Sequence, residues 1–285
     1  MLDTALARIV WADGSALSVV SSDALEPLAA AVGADVAFVP APSGTAGEGA
    51  AGGCDAAGID AVLAGSGCRV AIVEADVERF QEDPARRRRL AERQREHPGT
   101  GLWLAVTGVH DSDAIGREVE AARWAGFHTV GASIASPAAA LLTSSIAQES
   151  DFVHIDAGRL ALACSSPSGR RDAQERADEI LWHPSLLAIL RLALTASAAV
   201  PTFVSVPPSA TASWLAALFG TGARCVALSR AQQSELEALA VDLTAVDAAA
   251  LASALISARG AADARRRLDA ALSALGSGSA HAATS

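Results

Sequence analysis

Four acidic or histidine side chains follow apolar runs in the sequence and are the first candidates for chemistry. Glu74 ends one such run and is a candidate general base, with a salt-bridge role as the alternative. His154 and Asp156 are two positions apart, so a strand presents both on one face, for acid–base chemistry or for internal hydrogen bonds. His110 could shuttle protons near neutral pH, or could be an exposed loop histidine. We predict all four as catalytic residues.

The residue types that the chain lacks narrow the chemistry. It contains no lysine, asparagine or tyrosine, so all 22 basic residues are arginine. Without lysine there is no Schiff-base aldolase, no pyridoxal-phosphate linkage and no P-loop lysine. The four cysteines are scattered, with no CxxC or Cys/His cluster, which argues against a zinc site and a disulfide framework. We predict no cofactor.

The elements that must position these residues are short apolar runs separated by stretches with helical spacing. The runs are nearly continuously apolar, which is typical of parallel strands covered on both faces. Eight strand–helix units, with no GxGxxG after the first strand, predict an α/β fold of the (β/α)8 TIM-barrel type. The predicted strands are Ala16–Val20, Asp35–Pro40, Arg69–Glu74, Leu102–Val106, Thr129–Ile134, Phe152–Ile155, Thr202–Val206 and Cys225–Ser229.

One domain is predicted, a single barrel over residues 1–276. Residues 41–58 are rich in glycine, alanine and serine and are predicted to form a flexible loop, either a lid or a disordered insertion. Residues 277–285 are predicted to be a disordered tail. Before this tail, Leu268, Leu272 and Leu275 share one helical face, which either closes the barrel or provides the contact of a homodimer.

Charge and hydropathy argue against two classes of partner. The formal net charge of −10 provides no basic face for nucleic acid. No apolar run approaches the length of a bilayer span, and the first residues lack the apolar core of a signal peptide. We therefore expect a soluble, cytoplasmic protein that binds neither nucleic acid nor membrane.

The second half of the chain carries a sequence framework found in a known enzyme family. It consists of Gly131–Leu142 (GASIASPAAALL), Glu149–Ile155 (ESDFVHI) and His183–Pro184. On these residues, the stretch from Val130 to Ser229 resembles the C-terminal barrel of the phosphoenolpyruvate-utilising enzymes, which include enzyme I of the bacterial sugar phosphotransferase system and pyruvate phosphate dikinase. The resemblance implies a TIM-type barrel of the phosphoenolpyruvate/pyruvate-domain kind.

The working residues of that family are replaced in this chain. Its two metal-binding carboxylates fall on Ala135 and Arg159, and its catalytic cysteine falls on Ser205. Magnesium requires hard oxygen ligands, which alanine lacks, and an arginine repels the ion. An alcohol is far less acidic than a thiol, so serine does not easily replace cysteine as a proton donor. The resemblance therefore implies a site without a metal, in a barrel that no longer transfers phosphate.

This replacement suggests a role for Arg159 as a binding residue. Its guanidinium leaves one fixed positive charge near the place where the family holds its metal, and it could hold a carboxylate or phosphate bidentately. The alternative is an arginine paired with Asp156 or Glu74. Ser205 is placed with Arg159 among the substrate-binding residues, and it lacks the GxSxG elbow that would favour a nucleophile.

These observations favour a metal-independent lyase or isomerase that acts on a small carboxylate or phosphorylated acid. One alternative is a catalytically inactive barrel kept as a binding or assembly module. Another is a barrel recruited to specialised metabolism with an apolar substrate, in which Trp103 would line the pocket. Convergence of Arg159 with at least two other polar groups favours the enzyme, whereas a mouth filled by apolar side chains favours the module.

Overall fold

The computed structural model describes the strands of one sheet and the helices of the second half of the chain. The described residues are 7–10, 16–21, 36–39, 70–76, 88, 92, 95–96, 101–124, 126–164 and 179–282. The predicted flexible loop at 41–58 lies outside these residues, so its mobility stays a prediction.

Nine strands form this sheet in the described part of the chain. They are β1 (Ala7–Val10), β2 (Ala16–Ser21), β3 (Val36–Val39), β4 (Val70–Asp76), β5 (Gly101–Thr107), β6 (Val130–Ile134), β7 (Val153–Asp156), β8 (Thr202–Ser205) and β9 (Cys225–Leu228). Strands β2 to β9 each overlap one of the eight predicted strands. β6 and β9 are buried at every position, as parallel strands packed on both faces should be.

Strand β1 is absent from the predicted set. It pairs antiparallel with β2, with Ala7 opposite Val19 and Val10 opposite Ala16. The sequence does hold a hairpin signal, because the dipeptide Asp13–Gly14 lies between the two paired runs. β1 is four residues long, and Arg8 interrupts its apolar run.

The remaining pairings are parallel and follow chain order from β2 to β9. β4 and β5 align over seven residue pairs, from Val70 opposite Gly101 to Asp76 opposite Thr107. β2 also pairs with β9 over four residue pairs, whereas its pairing with β3 is limited to one. The six strands from β4 to β9 therefore form a continuous parallel half-barrel.

The predicted closed (β/α)8 barrel is corrected to a mixed α/β fold with a TIM-barrel-like parallel sheet. A closed barrel needs a continuous ladder between all neighbouring strands, and the seam between β2 and β3 consists of Ser21 opposite Ala37 alone. Between β4 and β5, the described residues Arg88, Glu92, Arg95 and Glu96 are helical.

The helices lie between and after the strands of the half-barrel. Those delimited in the described residues are α1 (Ser112–Trp124), α2 (Pro137–Leu141), α3 (Thr143–Gln148), α4 (Ala157–Cys164), α5 (Pro184–Ala196), α6 (Ala212–Gly220), α7 (Arg230–Ala240), α8 (Ala245–Ile256) and α9 (Ala261–Ala282). Local sequence fixes several starts. Capping boxes open α7, through Ser229 and Gln232, and α8, through Thr244 and Asp247.

The two faces of the sheet pack against different groups. One face packs with the buried sides of the helices in a large apolar core, to which Leu104, Ile134 and Leu228 belong. The opposite face, called the inner face here, carries a smaller apolar cluster. Its buried members are Ile72, Ala105, Phe152, Phe203, Cys225 and Ala227. Trp103 packs against this cluster, 5.5 Å from Phe152 between ring centroids. It therefore contributes to apolar packing of the inner face.

The last helix packs on the core of its own chain. Leu268 is buried, and Leu272 and Leu275 pack against the same core, so a homodimer contact through this face stays a prediction. α9 continues to Ala282, which places most of the predicted tail at 277–285 inside a helix. Among the described helices, none alone has the length and apolar composition needed to cross a membrane; α7 and α8 together meet that test, bent by 112°.

Candidate functional site

Polar side chains replace apolar ones on the inner face towards the carboxyl ends of the strands. Glu74, His154 and Ser205 each lie two positions after a buried member of the apolar cluster, so strand alternation keeps them on the same face. Asp156 follows His154 by two more positions and ends β7. Arg159 lies in the first turn of α4. Five of the six predicted site residues are thus brought together at one end of the sheet.

Glu74 and Arg159 form a two-pronged contact. Arg159 Nη2 donates to Glu74 Oε2 at 3.1 Å, and Nη1 donates to Oε1 at 3.3 Å. Nη1 also donates to Thr107 Oγ1 at 3.0 Å, at the end of β5. The side chain of Glu74 is 0% exposed, whereas that of Arg159 is 27% exposed. Arg159 therefore covers a buried negative charge and also reaches the solvent.

Asp156 connects Arg159 to the end of β7. Its Oδ1 accepts a hydrogen bond from the backbone N–H of Arg159 at 2.8 Å, as an N-cap residue does, and Oδ2 lies 3.4 Å from Nε. Burial, the largest cause, raises the pKa of Asp156; Glu74 adds to the rise, while His154 and Arg159 oppose it. A carboxyl group with a raised pKa retains its proton at a higher pH and is suited to acid–base chemistry.

A chain of hydrogen bonds joins Glu74 to Ser205 through His154, and we call it the relay. Ser133 Oγ donates to Glu74 Oε1 at 2.8 Å and lies 2.9 Å from His154 Nδ1. On the other side of the ring, His154 Nε2 lies 2.7 Å from Ser205 Oγ. The relay therefore runs from a buried carboxylate to a partly exposed hydroxyl at the end of β8.

Strand register and packing hold His154 in place within the relay. Ser133 stands opposite His154 in the pairing of β6 with β7, and Asp156 stands opposite Ser205 in the pairing of β7 with β8. The imidazole is fully buried and stacks on the ring of Phe203, with centroids 4.6 Å apart and planes inclined by 18°. Such a ring has little freedom to turn away from its partners.

One predicted site residue, His110, lies apart from the site, and two residues that were not predicted, Ser133 and Thr107, belong to it. His110 is exposed in the loop between β5 and α1 and does not join the relay. Ser133 and Thr107 were not predicted, because an isolated hydroxyl in an apolar strand has no chemistry of its own. The available signal for Ser133 was that it interrupts a buried strand, where a polar group needs a hydrogen-bonding partner.

Arg159 lies between two carboxylates. It contacts both Glu74 and Asp156, which is the pairing given above as the alternative to an anion anchor. Within the described ranges, no three carboxylate, histidine or cysteine side chains are arranged as metal ligands. A guanidinium that is part of the chain therefore offsets part of the charge of the two carboxylates.

A groove on the helical surface lies away from this site. It has a volume of about 390 Å³ and is lined by Gly116, Val119, Glu120, Arg123, Trp124 and Glu149. Trp124 is 85% exposed there, and Arg123 forms an ion pair with Asp151 at 2.9 Å. None of the relay residues borders it, so we base the functional argument on the end of the sheet.

The fold and this site define a TIM-barrel-like α/β protein with a polar cluster at the carboxyl ends of its strands. No protein-family model and no curated protein sequence matches the chain. Among solved structures, the crystal structure of citrate synthase SbnG is similar over 70% of this chain and 88% of that chain, with 15% identity and a TM-score of 0.39. The resemblance to phosphoenolpyruvate-utilising enzymes therefore stays a prediction from sequence.

Proposed function

We propose that the chain is a metal-independent enzyme of the lyase or isomerase type, which moves a proton on a small carboxylate or phosphorylated acid and transfers no phosphate. The observation that carries the proposal is the convergence of Asp156, Arg159, His154 and Ser205 at one end of the sheet. Residues at the carboxyl ends of parallel strands are those that TIM-barrel enzymes use for catalysis.

Asp156 is the group that moves the proton in this proposal. Its side chain is 16% exposed, so it is reachable from the mouth, whereas Glu74 lies behind it with no exposure. Its raised pKa keeps a share of the molecules protonated nearer to neutral pH, where a general acid is needed. Glu74 then acts through Arg159 and Ser133 and does not meet the substrate.

Arg159 is the group that holds the acid substrate. Its side chain is partly exposed at the mouth, and its position is fixed by Glu74, Thr107 and Asp156. A guanidinium with a fixed orientation loses little conformational entropy when it binds a carboxylate or a phosphate. The same positive charge is the reason for metal independence, since it repels a divalent cation from both carboxylates.

Hydrogen exchange into solvent tests this proposal across a whole class of acids at once. The protein is treated with EDTA, transferred to D2O and mixed with a panel of small carboxylates and their phosphorylated counterparts, and loss of carbon-bound hydrogen is followed by NMR. We expect exchange with at least one acid. Asp156→Asn should slow it about 100-fold or more, as loss of a general acid or base does.

Asp263→Asn is the matched control for this experiment. Asp263 also pairs with arginines and accepts from a backbone N–H, but on the far helix α9. We expect its exchange rate to equal that of the unchanged protein. Absence of exchange with every acid, in a folded protein, would contradict proton transfer, and so would equal loss in both variants.

A binding module is the second candidate, and one observation favours it. The guanidinium of Arg159 is already engaged by two carboxylates, as in a structural ion cluster. A module predicts that an acid from the panel binds, as seen by saturation-transfer NMR, without any exchange. It also predicts that Asp156→Asn leaves the affinity for that acid unchanged.

A further inference from the structure

The relay contains a serine hydroxyl in hydrogen-bonding contact with a buried histidine that is itself backed by a carboxylate. We propose that Ser205 is a nucleophile activated by His154, and that the site accepts the acyl group of an ester or thioester of a small acid. This activity goes beyond proton transfer by Asp156. The distance of 2.7 Å between Ser205 Oγ and His154 Nε2 is that of a nucleophile and its base.

The directions of donation along the relay follow from its carboxylate end. The hydroxyl group of Ser133 donates a hydrogen bond to Glu74 Oε1. A hydroxyl has a single proton, so towards His154 the oxygen of Ser133 acts as an acceptor. Nδ1 of His154 then donates to Ser133, and in the neutral form of the imidazole Nε2 is left as an acceptor. With the ring in that form, Ser205 is the donor to Nε2, which is the arrangement that general-base activation requires.

Glu74 supports the imidazole from behind. Its Oε1 lies 3.5 Å from His154 Nδ1, with Ser133 bridging the two groups by shorter contacts. When His154 takes a proton from Ser205, the positive charge on the ring faces this buried carboxylate, and Ser133 holds the ring by its Nδ1 proton. Catalytic triads are recognised by these roles and not by sequence position, so the missing GxSxG elbow does not exclude one here.

The covalent step balances with water as the second reactant. Ser205 Oγ forms a bond to the acyl carbon while its proton passes to His154 Nε2. The bond to the alcohol or thiol leaving group breaks, and that group takes the proton from Nε2. Water then attacks the acyl carbon, gives one proton to Nε2 and releases the acid, and the proton returns to Ser205. Asp156 stands opposite Ser205 in the sheet and lies 3.4 Å from Arg159 Nε, and in this proposal the guanidinium stabilises the oxyanion.

The chain contains its own comparison for this proposal. Ser185 Oγ lies 2.7 Å from His183 Nδ1, the same separation as in the relay. There the serine is exposed and the backbone N–H of Ser185 also donates to Nδ1, so the histidine acts as a helix cap. Within the described residues, no carboxylate forms an ion pair with His183. Both serines therefore lie equally close to a histidine nitrogen. The difference is that His154 is fully buried and has the carboxylate of Glu74 behind it.

Labelling with a fluorophosphonate tests the nucleophile directly. Attack by Ser205 forms an oxygen–phosphorus bond and releases fluoride, and peptide mass spectrometry locates the adduct. We expect a single adduct on Ser205 and none on Ser185. Ser205→Ala should abolish it, and Ser185→Ala should leave its rate unchanged. Ser133→Ala keeps both His154 and Ser205 and should slow labelling at least about tenfold, because the ring loses the acceptor that orients it.

His154→Gln should also abolish labelling, and circular dichroism checks that this variant is folded. If it is not folded, Ser133→Ala decides the matter. The proposal is overturned if Ser205 is not labelled, if Ser185 is labelled as fast, or if Ser133→Ala labels at the unchanged rate. The two proposals fail separately in the unchanged protein, because adduct formation on Ser205 reports the nucleophile, whereas exchange of carbon-bound hydrogen reports proton transfer by Asp156.

Discussion

Arg159 and Glu74 are 85 positions apart in the sequence and form a two-pronged ion pair, with nitrogen–oxygen distances of 3.1 and 3.3 Å. The pair links the first turn of α4 to the inner face of β4. Within the pair, the side chain of Glu74 is fully buried and that of Arg159 is partly exposed. The same contact therefore stabilises the fold and sets the charge of the mouth.

Removal of the guanidinium should destabilise the protein. Arg159→Ala leaves the buried carboxylate of Glu74 without its countercharge, and breaking a buried ion pair in this way costs roughly 3–5 kcal/mol. Because Arg159 is partly exposed, we expect the lower end, about 3 kcal/mol in the free energy of unfolding measured with urea. Arg266→Ala is the control, since Arg266 is 71% exposed in its pair with Asp263, and its loss should cost less than about 1 kcal/mol. Equal losses would contradict the account.

Asp156 should make stability fall as the pH rises. Its pKa in the folded protein is raised above the ordinary value of 3.8, chiefly by burial, so the folded state holds the proton more tightly than the unfolded state. The stability that it contributes is complete below about pH 3.8 and is lost as the pH rises through the folded pKa. Asp156→Asn removes this titration. Relative to the unchanged protein, the variant should therefore gain stability as the pH rises.

Asp263→Asn should show the opposite trend in the same unfolding series. The backbone N–H of Arg259 is the main cause that lowers the pKa of Asp263, so this group stabilises the fold above its ordinary pKa and loses that effect as the pH falls. A difference between the Asp156→Asn variant and the unchanged protein that stays constant across the series would contradict the raised pKa.

The close approach of β6 and β7 should make one glycine indispensable. A Cβ at Gly131 would lie 2.5 Å from the carbonyl oxygen of Phe152 and 2.6 Å from its ring. Gly131→Ala is therefore expected to lower the free energy of unfolding by about 1–3 kcal/mol, the usual cost of overpacking. Gly260→Ala is the control, because no atom lies within 4 Å of its added Cβ. If both substitutions have the same effect on the melting temperature, the described packing is wrong.

The strand positions could be predicted because parallel strands that are covered on both faces have nearly continuous runs of apolar residues in the sequence. All eight such runs became strands. Closure of the barrel could not be predicted in the same way, since it depends on residue pairs across a seam, such as Ser21 opposite Ala37. β1 was not predicted, although the dipeptide Asp13–Gly14 between the two runs is a hairpin signal in the sequence.

The site could be predicted in its ionisable members but not in their partners. Glu74, His154 and Asp156 were found because charged groups beside apolar runs are conspicuous and share a face by strand alternation. Ser133 was missed, because its role exists only through the register that sets it opposite His154. For Arg159 the sequence left two roles open, an anion anchor or a pair with Asp156 or Glu74, and in the structure it contacts both carboxylates.

The direction of the relay is the central claim, and the ring proton of His154 reports it. Nitrogen-15 NMR of the histidine rings at neutral pH distinguishes a protonated from an unprotonated nitrogen, and the signals missing from His154→Gln identify this residue. The account predicts a proton on Nδ1 and none on Nε2, with loss of that preference in Ser133→Ala. A proton on Nε2 in the unchanged protein would contradict it, because Ser205 would then accept a hydrogen bond and could not be activated by His154.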